Sequence, residues 1–252
     1  GATGWKFGFH DSKALVWTTY FVKDFIGQTP IEEKKWTYVA ATWDGKEAKL
    51  YINGVEQPVQ LAFDQGYDSS FTLYYTSLPL YIGRDANGSS YFNGLIDEAE
   101  VFDRVLAPEE IAAIYNAGSA GKCRECVTPP SDLASWWSGD NHTIDLAGGY
   151  NGTLYGGTGY GAGKVGQAFS LDGIDDYVFV DGTLNIDGGA QATYDAWVYP
   201  QSAPSPSYYF SLFGAGDATQ SSWTANQCRV LYFSTQGSPA NTAKFYMDCA
   251  LN

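Results

Sequence analysis

The chain has 252 residues and a formal net charge of −14, with 16% aromatic and 17% charged side chains. Its 14 Lys and Arg against 28 Asp and Glu supply no basic stripe for counterion release, which excludes a nucleic-acid binder and disfavours an anionic membrane surface. No apolar run reaches the ~18 residues of a membrane-spanning helix, and the aromatic load is too high for a disordered chain.

The length suits one large β domain or two small ones. The 29 Gly, 19 Tyr, 14 Phe and 8 Trp favour strands and turns. After Glu125 every one of the 11 acids is Asp, against three bases. Asp is a turn residue and a compact oxygen ligand, so the second half reads as strands with carboxylates at loop tips. The start at Gly1 rather than Met, with no leader pattern, reads as a mature or excised segment.

In chain order, 5–9 and 14–22 are predicted strands around a His10-Asp11-Ser12 turn. Residues 36–43 form a strong strand, which Asp44-Gly45 turns into 49–53, and Asn53-Gly54 turns the chain again. Strands are also predicted at 71–75, 79–83 and 94–102. Pro108, Glu109 and Glu110 open a short helix near 108–117 and Gly118 ends it. Residues 119–131 (SAGKCRECVTPPS) have linker composition. Trp136-Trp137 then lead into a Gly/Asp/Asn loop at 138–152. A Gly-rich turn region at 156–166 precedes strands at 167–171, 176–180 and 192–199. After a Pro/Ser loop at 201–207, a last hairpin pairs 228–233 with 243–249. That hairpin resembles the first one, 5–22, at a spacing of about 224 residues, although aromatic hairpins in general look alike.

Asp140, Asp145 and Asn151 share one loop, and Asp172, Asp175 and Asp176 share another. Hard oxygen ligands on turns suit Ca²⁺, and the same residues also make Asx turns. His10 and His142 are too far apart in sequence to read as a zinc motif. Gly161-x-Gly163-x-x-Gly166 runs into a strand rather than a helix, so it reads as turn glycines and not as a phosphate cradle. There is no Gly-x-Ser-x-Gly elbow. Tyr91, Phe92, Tyr208, Tyr209 and Trp223 lie near predicted loops, where exposed rings stack on sugars; the alternative is a packed interior ring. Trp36, Trp43, Trp136 and Trp197 are predicted core. Cys228 and Cys249 face each other at the open ends of one hairpin, where a cross-strand disulfide would fit. Cys123 and Cys126 form a C-x-x-C without βαβ context, which favours a structural bridge over a redox site. The cysteines suggest an oxidising compartment, hence an extracellular or cell-surface protein. The sequons at Asn87, Asn141 and Asn151 are no more than chance-level matches.

Two blocks carry a family resemblance. WTYVAATWDG (36–45), LYING (50–54), YIGR (81–84), NGLIDEAEVFDRVL (93–106) and PEEIAAIYNAG (108–118) resemble the C-terminal half of a laminin-G-like, concanavalin-A-like domain. WWSGD (136–140), DLAGGYNGTL (145–154), GKVGQAFSLDGIDDYV (163–178) and DAWV (195–198) resemble the N-terminal half. The resemblance implies an all-β antiparallel sandwich, a jelly roll with one short helix. It also implies a C-half at 1–118, a linker at 119–131 and an N-half at 132–252, in inverted order. The halves then close on each other as a circular permutant, pair with other copies, or belong to a longer tandem array.

A structural Ca²⁺ joining Asp145 and Asn151 to Asp97 is implied by the same resemblance; Asp175 and Asp176 are candidate metal ligands on residue type alone. Glu98, Glu100 and Asp103 are similar to the Glu-x-Asp-x-x-Glu strand of laminarinase-type glycoside hydrolases, but the order of types departs from it. The leading expectation is a non-catalytic extracellular module that binds a glycan or matrix polymer with help from calcium, as in cell adhesion. The alternatives are a self-assembling fibre or array held by half-domain exchange between copies, and a glycosidase.

Overall fold

The structure is a computed structural model. It describes residues 5–10, 13–19, 23–64, 79–86, 88, 90–118, 130–181, 191–202 and 210–215, with four two-residue strands beyond 227. The chain divides into a compact unit, 2–217, and a smaller one formed by 218–252 with Gly1.

The larger unit is built on two antiparallel sheets. The first contains β1 (Trp5–Phe9), β2 (Ala14–Thr19), β3 (Lys23–Pro30), β7 (Val59–Asp64), β8 (Leu80–Ile82), β11 (Gly152–Tyr155), β14 (Tyr177–Val180) and β16 (Phe210–Ala215). Their spatial order is β11-β14-β8-β16-β1-β2-β3-β7. The second contains β4 (Thr37–Trp43), β5 (Ala48–Ile52), β6 (Val55–Glu56), β9 (Asn93–Phe102), β10 (Leu133–Trp137), β12 (Gly159–Ala162), β13 (Gln167–Asp172) and β15 (Ala192–Pro200). Its order is β12-β13-β9-β15-β4-β5-β6, with β10 also pairing β9. The ten-residue β9 is long enough to take β13 along its first half and β10 along its second.

Strand alternation places the core. On β15, Tyr194, Ala196 and Val198 point into the sandwich, while Trp197 faces the opposite side. The interior is heavily aromatic. Trp5 and Trp17 stack at 5.1 Å, Tyr194 lies 4.3 Å from Trp5, and Phe7 stacks on Phe213 at 6.3 Å. Truncating a ring as deeply buried as Trp17 costs about 3–5 kcal/mol. Trp43 is core as expected, and Trp197 is buried under the helix. Trp36 and Trp136 are only half-buried.

The helix, α1 (Pro108–Ala117), forms as its sequence signals predict. Ala107 at its N-cap carries no side-chain oxygen, so Glu110 Oε2 reaches back to accept the Ala107 N–H at 2.9 Å. Arg104 holds the same carboxylate bidentately at 2.7 and 2.8 Å. Ile111 and Ile114 pack on Tyr38, Phe102 and Trp197, on the side of the second sheet away from the main core. With apolar layers on both faces, β4 is buried at every position, which explains why it carries no charged residue.

Most predicted strands are found within a residue or two. The Asn53-Gly54 turn takes φ values of 50° and 77°, the positive pair that a tight hairpin requires. The region 156–166 departs from its predicted turn character. Gly159–Ala162 form an edge strand paired with β13, with the Tyr160 ring 5.8 Å from Phe169. Strands β3, β6, β7, β11 and β16 were not expected from sequence, and predicted strand 71–75 lies outside the described residues.

The smaller unit holds two short ladders. Cys228–Arg229 pair with Asp248–Cys249, and Phe233–Ser234 pair with Lys244–Phe245. The register sets Cys228 directly opposite Cys249. Cys123 and Cys126 lie outside the described residues.

Candidate functional site

The outer face of the first sheet carries an aromatic ladder. On β14, Val178 and Val180 enter the core, so Tyr177 and Phe179 point outward. Register sets Tyr155 of β11 opposite Tyr177, and Tyr81 of β8 opposite Phe179. The rings of Tyr155 and Tyr177 stack at 4.9 Å with 4° between their planes. Tyr81 lies 5.5 Å from Phe179, and Tyr91 lies 6.5 Å from Tyr177. The Arg84 guanidinium sits 4.0 Å from the ring centres of both Tyr81 and Tyr177. This cation–π placement leaves its buried Nε without an acceptor. Burial pushes the Tyr177 phenol above its ordinary pKa, so it stays a neutral donor and acceptor. Tyr155 is 45% exposed, which makes its ring the open end of the ladder. Flat apolar faces edged by hydroxyls and a guanidinium suit the mixed surface of a sugar.

Of the aromatic candidates, Tyr91 joins this ladder. Phe92 does not: it is fully buried, 6.2 Å from Phe9 and 5.8 Å from Phe210. The physical reason is alternation, which turns Tyr91 outward and its neighbour into the core. Tyr208, Tyr209 and Trp223 lie outside the described residues. Tyr81, Arg84, Tyr155, Tyr177 and Phe179 were missed, yet the period-two pattern of YVFV (177–180) holds the signal that both aromatics share one face.

The residues of the calcium constellation implied by the resemblance each hold backbone N–H groups. Asp145 Oδ1 accepts the backbone N–H groups of Trp136, Ala147 and Gly148 at 2.8–3.1 Å, and Oδ2 accepts that of Tyr150 at 3.0 Å. Asn151 Oδ1 accepts the Asp145 N–H at 3.1 Å. Asp97 Oδ2 accepts from Lys164 and Val165 at 2.7 and 2.8 Å. Each acceptor serves a different backbone segment, so Asp97, Asp145 and Asn151 each organise a loop, and Asp97 Oδ1 is left buried without a hydrogen-bond partner. Burial drives the Asp97 carboxyl up to about 7, against the lowering effect of those N–H groups.

Asp175 and Asp176, by contrast, do come together with Asp172. The three offer oxygens that all lie within 4.8 Å of one another, the one such acidic group among the described residues. Asp172 and Asp175 are exposed and Asp176 is buried.

A second set of acids lies on the outer face of the second sheet. Glu98, Glu100 and Asp195 line a small pocket with Tyr38, Trp197, Val165 and the C-terminal end of α1. Its space is about 10 Å³, room for roughly one water molecule. Glu98 adopts φ 50°, at a bulge where β15 skips one residue of β9. Its Oε2 accepts the Trp136 indole N–H at 3.0 Å. Burial first, then the Asp195 and Glu100 charges, push the Tyr38 phenol well above its ordinary value. Glu98 and Glu100 therefore share a face as alternation suggested, Asp103 sits exposed away from them, and Asp195 joins from a neighbouring strand.

Residues 1–112 match a laminin-G-type family model described as the Concanavalin A-like lectin/glucanases superfamily. No curated protein and no solved structure gives a match. The matched segment ends inside α1, before the second block of motifs begins. Two large antiparallel sheets and, among the described residues, one α-helix are consistent with the jelly-roll sandwich that this similarity implies.

Proposed function

We propose that the chain is a non-catalytic carbohydrate-binding module that works outside the cell on a glycan or matrix polymer. The observation that carries this reading is the Tyr155–Tyr177 stack, with the open Tyr155 ring at one end and Arg84 behind Tyr177. The similarity of residues 1–112 to a superfamily of lectins and glucanases supports a carbohydrate ligand at a coarse level.

The small size of the acid-lined pocket supports a binding rather than a hydrolytic role. A space for one water has no place for a sugar ring between Glu98 and Glu100. The centres of both sheets are filled by this chain's own β15 and β16, which disfavours half-domain exchange between copies.

The test is binding of the full chain to a panel of polysaccharides, laminarin included. Tyr155→Ala is expected to weaken the best ligand about tenfold, the loss of about 1.4 kcal/mol of stacking. It should leave the fold intact because the ring is half exposed. Absence of binding to every glycan, or full binding by Tyr155→Ala, would overturn the proposal. Release of reducing sugar from laminarin would establish the hydrolytic alternative.

A further inference from the structure

We propose that the turn 172–176 is a binding site for one hard divalent cation of the Ca²⁺ type, held by Asp172, Asp175 and Asp176. The inference is independent of what the aromatic ladder binds. Ca²⁺ takes oxygen ligands at about 2.3–2.6 Å, so two of its ligands lie at most about 4.6–5.2 Å apart. The three carboxylates already meet that limit, with one oxygen from each inside 4.8 Å of the others.

A second observation points to a ligand. Asp176 is 5% exposed, and its Oδ1 has no hydrogen-bond partner. Its Oδ2 is held by the Asp172 N–H at 2.9 Å, which fixes the carboxylate in place. A buried carboxylate oxygen with no donor is costly unless a cation, a proton or a water satisfies it. None of the described ion pairs reaches these three side chains, so the cluster supplies no positive charge of its own.

The surroundings are already arranged. Gly156 has φ 78°, and a Cβ there would collide with the Asp175 carbonyl, so the hairpin lies directly against the turn. Thr158 Oγ1 donates to the carbonyls of Tyr155 and Tyr177 at 2.6 and 3.2 Å, which locks the two segments together. The ligand set is acid-only and partly exposed, which suits Ca²⁺ with waters completing its shell.

The experiment uses the full chain, chelator-treated and then titrated with TbCl₃ under tyrosine excitation, since Tyr177 follows Asp176 directly. Saturable luminescence, displaced by CaCl₂, is expected. Asp175→Asn changes an exposed side chain and Asp176→Asn the buried one; each should weaken binding at least tenfold. Asp97→Asn, at the other acidic loop contact, should leave it unchanged. CaCl₂ at about a hundredfold over its dissociation constant should raise the parent's Tm by about 5–10 °C and leave Asp175→Asn nearly unmoved. In chelator, Asp176→Asn should melt no lower than the parent, because it removes a charge from an uncompensated cluster. No saturable binding, or equal binding by parent, Asp175→Asn and Asp176→Asn, would overturn the proposal and leave a proton or water on Asp176. Loss of binding in Asp97→Asn alone would overturn it by moving the site elsewhere.

Discussion

Replacing Asp145 by Ala tests whether the 138–151 loop is organised by one carboxylate. The side chain is 5% exposed and accepts four backbone N–H groups. Ala147 and Gly148 sit on the exposed part of the loop, so water replaces most of what their N–H groups lose. The donors of Trp136, on β10, and of half-buried Tyr150 are less accessible. Stranding each of these costs about 1–3 kcal/mol, and the two exposed donors add about 0.5 kcal/mol each. The sum is about 3–7 kcal/mol, a fall in Tm of about 10–20 °C for a unit of this size. Asp145→Asn keeps Oδ1 and its three donors but turns an NH₂ towards Tyr150, so it should cost about half as much. Urea unfolding followed by tryptophan fluorescence, in chelator, measures both. A loss below about 1 kcal/mol for Asp145→Ala, or one that appears only when Ca²⁺ is present, would refute the loop-organiser account and restore a ligand role.

Three other outcomes follow from charged groups and rings. Asp97 has a native pKa of about 7 against an ordinary 3.8, so the folded state favours its protonated form. Stability from this group is complete below about pH 4 and is lost as pH rises to about 7. By linkage Asp97→Asn, which keeps the acceptor for Lys164 and Val165, should gain on the parent by about 4 kcal/mol across that window. Parallel pH–stability curves for parent and variant would sink the idea. For the Arg104–Glu110 pair, a double-mutant cycle with Arg104→Ala and Glu110→Gln should give a coupling of about 1 kcal/mol; zero coupling would mean the bidentate contact does not hold α1. Gly156→Ala should destabilise the chain measurably by thermal melting, because its Cβ has no room beside Asp175, and an unchanged Tm would contradict the packing of the hairpin on the turn.

Local chemistry made the helix and many of the strands legible. Pro108, two early glutamates and Gly118 mark α1, and Asn53-Gly54 marks its hairpin because few other residues accept that backbone. Phe92 was misread because adjacency to a loop says nothing about which face a residue takes; the alternation beginning at Tyr91 decides it. The role of Asp145 is illegible for a different reason. A Gly/Asp/Asn loop has the same composition whether its carboxylate binds metal or backbone, and the four N–H donors are identifiable only once the chain is folded. The aromatic ladder needs register across three strands, one of them some seventy residues away from the nearest other in sequence, which no local pattern encodes. Asp195 joins Glu98 and Glu100 through the same kind of non-local pairing.

The place of β15 between β9 and β4 also sets a timetable for the newborn chain. About 90 residues separate Phe102, the end of β9, from Ala192, the start of β15. A ribosome adding about 5–20 residues per second needs roughly 5–20 s to cross that interval. Throughout it, β4 and β9 are complete yet lack their common neighbour, with Val39, Ala41 and Val101 waiting for Tyr194, Ala196 and Val198. Their unpaired edges are templates for the wrong strand. A chain stalled before residue 200 is therefore a client for a holding chaperone, whereas the finished one closes both sheets on itself.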